Sequence, residues 1–155
     1  MSAPETGISL SITRTIRAPR EKVFRAWTDP DELVKWWDTP MFTCIAAEAD
    51  LRPGGHYRTS FRVKESGANV TAAGVFREVT PPERLVYTWR WEEWEAGAPD
   101  TLVTVEFHGR GDETDLVLVH ERFPEESMRD HHAEGWEVTF DSLEKGLDSL
   151  EKGLA

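Results

Sequence analysis

The chemistry available to this 155-residue chain rests on two histidines and a set of aromatic side chains. His120 shares the parity of Leu116 and Leu118 in a stretch that alternates as a strand. Its imidazole is therefore expected on an apolar face, where a polar group needs a hydrogen-bond partner or a ligand. His132 stands four residues before Trp136 on the same side of a helical stretch, at the mouth of any space that helix covers. Imidazoles so placed either bond to their neighbours, anchor a ligand or exchange protons, and the residues alone leave these roles open. Of seven tryptophans, Trp37, Trp89, Trp91 and Trp136 fall on faces directed inward. Tyr57 and Phe61 alternate on one face after the Gly54-Gly55 turn. Such a cluster either fills a core or lines a cavity for an apolar or aromatic molecule. The candidate ligand-binding residues are thus Trp37, Tyr57, Phe61, Trp89, His120, His132 and Trp136. Two charges share inward faces, Arg14 with Ile12 and Ile16 and Glu78 with Gly74 and Phe76; each is either a charge in the interior or, the favoured expectation, paired with another charge.

Other chemistries find no support. There is no His-Glu-x-x-His, and the adjacent His131 and His132 cannot both face one ion on a helix, so no metal or other cofactor is expected. Nor is there a Gly-x-Ser-x-Gly elbow, a phosphate-binding glycine loop or a dinucleotide fingerprint. Catalytic residues remain unassigned, and an enzyme is the less favoured expectation. Cys44, the one cysteine, can form no intrachain disulfide and is expected as a small packed side chain.

Composition narrows the partners. The net charge of −11 has the wrong sign for a protein that lives on phosphate backbones, so neither nucleic acid nor an anionic membrane is expected. Met1 to Gly111 carries 14 basic and 16 acidic residues, whereas Asp112 to Ala155 carries 4 and 13. The last quarter therefore presents an acidic face, either a solvated helix surface or a docking site for a basic protein partner. No apolar stretch is long enough to span a bilayer, and MSAPETG lacks the regions of a signal peptide, so a cytoplasmic location is expected.

Positioning these groups requires a particular order of elements. Ile8 to Arg17 alternates as a half-buried strand. Pro19 suits the start of a short helix that carries Val23, Phe24 and Trp27. Asp29 is the expected N-cap of a second, with Pro30 at its first position and Leu33, Trp36 and Trp37 following. Six strands come next, separated by turns such as Arg52-Pro53-Gly54-Gly55 and Thr80-Pro81-Pro82-Glu83. After Pro124 one long helix carries Trp136, Phe140, Leu143, Leu147, Leu150 and Leu154 in a continuous stripe. Asp141 to Leu147 is repeated verbatim as Asp148 to Leu154, so the stripe also fits a coiled-coil seam, although Gly146 and Gly153 favour packing on a sheet. The fold class is α+β: a curved antiparallel sheet of about seven strands gripping a long C-terminal helix, with two short helices after the first strand. Residues 1–155 are expected to form one domain with an ordered core of about 8–152.

Several phrases carry a family resemblance: RTIRAP from Arg14, VFRAWTDP from Val23, Trp36-Trp37, DLRPGG from Asp50, Gly74 with Glu78-Val79, PPERLVYTW from Pro81, HERFP from His120 and Gly135-Trp136. Together they resemble the Activator of Hsp90 ATPase homologue 1-like (AHSA1-like) family of the START/Bet v 1-like helix-grip superfamily, also called SRPBCC, over nearly the whole chain. The resemblance implies the helix-grip fold and a cavity between sheet and helix, usually for a small apolar or aromatic molecule. It implies no single reaction, because the superfamily spans carriers, receptors, cyclases and Hsp90 co-chaperone domains. Binding of a small hydrophobic molecule is the first expectation; a co-chaperone-like protein-binding module and a cavity enzyme are the alternatives. No counterpart of the eukaryotic activator's separate N-terminal chaperone-binding domain is expected. Arg122 departs from the family pattern, where a small residue, often glycine, is expected, and an arginine there would narrow or charge one wall.

Overall fold

Alternation along each strand leaves a sheet with one apolar face, and the C-terminal stripe is what covers it. In the computed structural model, which describes residues 8–151 and side chains as far as Leu147, the chain runs β1 (Ser9–Ile16), α1 (Arg20–Thr28), α2 (Pro30–Trp36), β2 (Phe42–Ala49), β3 (His56–Val63), β4 (Asn69–Thr80), β5 (Arg84–Trp91), β6 (Thr101–Arg110), β7 (Glu113–Glu121) and α3 (Glu126–Glu151). The seven strands pair in the order β1-β7-β6-β5-β4-β3-β2, antiparallel throughout. This is the expected helix-grip: a curved sheet closed by α3, with α1 and α2 following β1. Only β1 and β2 are edges.

The helix stripe is core. Trp136 is 4% exposed, Phe140 and Leu143 0% and Leu147 3%. Glu137 on the opposite side is exposed, whereas Glu144 is half-buried, because it turns toward Arg14 at 3.6 Å. Leu150, Glu151, Gly153 and Leu154, and with them the second copy of the heptad, lie outside the described side chains. Leu143 and Leu147 of the first copy pack against the rest of this chain rather than along a zipper seam. Gly146 has a positive reason to be there: a Cβ on it would lie 2.4 Å from the Cβ of Trp36, so glycine is what lets α3 close on α2. Ser142 joins the same two elements, accepting from Asp38 N–H at 2.9 Å and donating to the Trp36 carbonyl. Asp29 caps α2 as expected, accepting from the Asp31 N–H at 2.9 Å, whereas Pro19 precedes α1 as its cap rather than entering it.

Both charges are paired, as favoured, and Arg14 also keeps the face expected of it. From β1 it reaches Asp141 at 2.6 Å and Glu137 at 2.9 Å and lies 5.5 Å from the Phe140 ring, fastening the edge strand to α3. Glu78 does not. A bulge between Phe76 and Glu78 inserts one residue, so Glu78 pairs opposite Val86 instead of sharing the face of Phe76, and it meets Arg84 at 3.2 Å. A one-residue slip moves a side chain to the other face of a sheet. Arg122 is exposed, so it neither narrows nor charges an inner wall, and its φ of 74° lies in the left-handed region that suits glycine.

Two stability outcomes follow. Leu143→Ala should cost about 2–5 kcal/mol in chemical unfolding, since the side chain is wholly buried. Arg122→Gly should stabilise the fold by about 0.5–1 kcal/mol, because relief of the left-handed conformation outweighs the added freedom of the unfolded chain; a lowered unfolding midpoint would show that Arg122 makes a compensating contact.

Candidate functional site

Trp136 is the hub of the interior. Its ring stacks on Trp27 of α1 at 6.0 Å and lies 6.2 Å from Trp37 at the end of α2 and 5.3 Å from Trp89 of β5. Each indole then needs an acceptor, because an unpaired N–H in such surroundings is costly. Trp27 donates to the Tyr87 hydroxyl at 3.2 Å, Trp36 to the Ala26 carbonyl at 2.7 Å, and Trp37 to Thr139 Oγ1 at 3.0 Å. Trp136 donates to His120 Nδ1 at 3.0 Å and Trp91 to His132 Nε2 at 3.1 Å.

These bonds determine the state of both histidines. His120, fully buried, accepts at Nδ1 and so carries its proton on Nε2, which donates to Thr101 Oγ1 at 2.7 Å; Thr101 in turn donates to the Trp89 carbonyl at 2.7 Å. His132 has the other tautomer, donating from Nδ1 to the Met128 carbonyl at 2.9 Å and accepting at Nε2. Protonating either ring would set a second N–H against an indole N–H. Burial lowers both pKa values, that of His120 well below the ordinary histidine range; the neighbouring imidazoles add to the effect, while the bond to the Met128 carbonyl partly opposes it at His132. Both rings are therefore neutral, with every nitrogen engaged.

Beside this network lies a cavity of about 250 Å³ lined by Trp37, Met41, Phe42, Phe61, Val63, Val70, Trp89, Trp91, His131, His132, Gly135, Trp136 and Thr139. The structure brings Trp37, Phe61, Trp89, His132 and Trp136 together on its wall, as the sequence suggested. Two expected members are elsewhere. His120 stands behind the wall, hidden by Trp136 and Trp89, and Tyr57 borders a separate void of 40 Å³, with its hydroxyl donating to the Thr88 carbonyl at 2.6 Å. That bond passes beside Gly74, where a Cβ would come within 2.0 Å of the same carbonyl. Eight further lining residues were not among the sequence candidates: Met41, Phe42, Val63, Val70, His131, Gly135, Thr139 and Trp91, the last expected inward but not assigned to the site. The alternation of Phe61 and Val63 carries a signal for one of them; Met41 follows Pro40 in a loop, where no periodicity exists to read. At Gly135 a Cβ would meet nothing within 4 Å, so this residue keeps the helix side of the cavity open.

The arrangement suits binding rather than catalysis. A general acid or base needs a proton it can release or accept near neutral pH, and neither His132 on the wall nor His120 behind it has a free nitrogen. The Cys44 thiol, 5% exposed, is pushed up to about 11 by burial and stays protonated. Among the described residues no group of three or more His, Cys, Asp or Glu converges as metal ligands, and no helix is long and apolar enough to cross a membrane.

The neutral histidines set a pH dependence. In the unfolded chain they titrate near about 6.5, while the native rings resist protonation, so below that pH the unfolded state binds more protons. Stability is complete above that value and declines as the pH falls, by up to about 1.4 kcal/mol per pH unit for each histidine. Urea midpoints at pH 7.5, 6.0 and 5.0 should fall in that order, and His120→Gln should lower the first while flattening the slope; an unchanged slope would mean His120 protonates in the native state at no cost.

Comparisons with known proteins agree with this architecture. The family model for Activator of Hsp90 ATPase homolog 1-like protein matches residues 17–148. A solved structure from Chromobacterium violaceum is 32% identical, with 88% of this chain and 94% of that chain covered and a TM-score of 0.78. An HSP90 activator from Plasmodium falciparum is 28% identical over 92% of this chain and 97% of its own, with a TM-score of 0.73. CalU16 from Micromonospora echinospora is 29% identical over 94% of this chain and 80% of its own, with a TM-score of 0.67. No curated protein matches. With a family model covering most of its length and the helix-grip architecture on which the family is built, the chain belongs to the Activator of Hsp90 ATPase homolog 1-like family of the SRPBCC superfamily.

Proposed function

We propose that the protein acts by binding a protein partner, as a module of the Hsp90-activator kind, in the cytoplasm where its one cysteine stays reduced. The observation that carries this is the end-to-end correspondence with the Plasmodium falciparum HSP90 activator, 97% of whose chain is covered, so the same elements make up both. Fold alone would not transfer a function, and the match of the family model at the level of sequence supports going further. The outer side of α3 supplies a surface for a basic partner: Glu134, Glu137 and Asp141 are exposed there, with Arg14 neutralising only part of the charge. Added at micromolar concentration to an Hsp90-class chaperone of its own cell, the protein should raise ATP turnover several-fold, and less so as salt increases. No binding and no change in turnover at tens of micromolar would reject the proposal.

The cavity favours a second reading, a site for a small apolar or aromatic molecule. Its volume falls just under the roughly 300–1,000 Å³ of drug-sized sites, enough for about two fused rings. Gly135→Leu separates the two readings, since the new side chain enters open space and replaces a poor helix former. It should raise the melting temperature and abolish binding of naphthalene while leaving any chaperone stimulation unchanged. Naphthalene that bound the variant as well as the parent would place its site outside the cavity.

A further inference from the structure

The interior groove does not end at the cavity. Along β3 the inward positions run Tyr57, Thr59, Phe61 and Val63; the first two line the 40 Å³ void and the last two the 250 Å³ cavity. Along β5, Leu85 and Tyr87 line the void alone, Trp91 the cavity alone, and Trp89 both. Alternate residues of a strand line one face in order, so the two spaces are successive stretches of one groove. β4 keeps the same order, with Phe76 at the void, Val70 at the cavity and nothing larger than Gly74 and Ala72 between them. What separates the two spaces is a pair of indoles, for Trp37 at the end of α2 is the other side chain that borders both. The two are held differently. Trp37 donates to Thr139 Oγ1 at 3.0 Å, and its carbonyl accepts from the Cys44 N–H at 2.8 Å. Trp89 Nε1 has no hydrogen-bond partner among the described residues, and its ring is held by packing against Trp136 at 5.3 Å, Trp91 at 5.5 Å and His120 at 5.9 Å.

We propose that Trp89 determines ligand length: its indole, braced by Trp37, is the end wall that restricts the cavity to a compact aromatic molecule with a short apolar substituent. This rests on the second reading above, that the cavity is a ligand site. With the indole gone, β4 has only small residues at that level, and an apolar arm can pass over Ala72 and Gly74 into the void beneath Trp27 and Leu33. With the indole in place, a longer molecule leaves its excess in water at the rim, where it gains nothing from burial. The competing arrangement is a void sealed from the cavity by other side chains, in which case shortening Trp89 merely enlarges the cavity.

The test uses the n-alkylbenzenes from ethylbenzene to heptylbenzene, with affinities measured by equilibrium headspace partition. In the parent, affinity should rise about fourfold per methylene until the chain meets the end wall, then level off. In Trp89→Leu the levelling should come about two carbons later, raising the preference for heptylbenzene over propylbenzene about 15-fold. Trp89→Phe, the milder change, should shift it less in the same direction. Adding Ala49→Leu to Trp89→Leu should return the break toward the parent's, because Ala49 lines the void and not the cavity. A readout that needs no variant is the nuclear Overhauser contacts of pentylbenzene bound to the parent, which should reach the Trp89 ring and neither Thr59 nor Tyr87. A parent series without a break, a break unmoved in both Trp89 variants, a shift that survives Ala49→Leu, or contacts to Thr59 or Tyr87 in the parent each overturn the end-wall proposal while leaving the cavity a ligand site. If the short alkylbenzenes do not bind the parent, the ligand reading and this inference are both rejected.

Discussion

The hydrogen bond from the Trp136 indole to His120 Nδ1 is the innermost of the directional contacts that fix where α3 lies on the sheet. Hydrophobic burial is non-directional, so a stripe of leucines and a phenylalanine specifies register less sharply than a hydrogen bond does. The indole N–H has a direction. It must find an acceptor in a core with few, and His120, Thr101 and the Trp89 carbonyl form a chain that ends the search. Displacing the helix by even part of a turn would leave a buried donor and a buried acceptor unpaired, each at a cost of about 1–3 kcal/mol.

The rest of the interior is built around that anchor. Trp27 and Trp37 pack on the same indole from α1 and α2, and Gly146 allows the close contact between α3 and α2 that holds them there. Arg14 ties the edge strand to the far side of the helix through Glu137 and Asp141. Exposed pairs of this kind add little stability singly, and their effect is on position. With the helix fixed along one line and Gly135 carrying no side chain, space remains between Trp37, Phe61, Trp89 and Trp136. The cavity is thus a consequence of directional bonds that prevent α3 from settling deeper. The same bonds keep the imidazoles neutral, which is why polar groups so close to a cavity supply structure instead of acid-base chemistry.

Much of this was legible beforehand, and the reasons are particular. Periodicity is a property of neighbouring residues, so the alternation of β5 through β7 and the stripe from Trp136 to Leu147 declare which side chains turn inward without knowledge of what they meet. Five of the seven proposed ligand-binding residues accordingly stand on the cavity wall. The failures occur where parity is interrupted or depth matters. Glu78 changed face because a bulge inserted one residue before it. His120 and Tyr57 point inward as alternation requires, yet a direction does not say which other side chain arrives first: His120 lies behind Trp136 and Trp89, and Tyr57 borders a separate small void.

The sequence by itself determined the order of elements, the faces they bury, the family and the unusual arginine at position 122, since each depends on local pattern or on phrases read as they stand. Only the tertiary structure settled the tautomers of His120 and His132, the need for glycine at 146, the open space beside Gly135, and the one indole left without an acceptor. Those properties belong to pairs of atoms brought together from distant parts of the chain. Residues 91 and 132, or 37 and 139, share no local signal, and only the packing of α3 into the sheet makes them donor and acceptor.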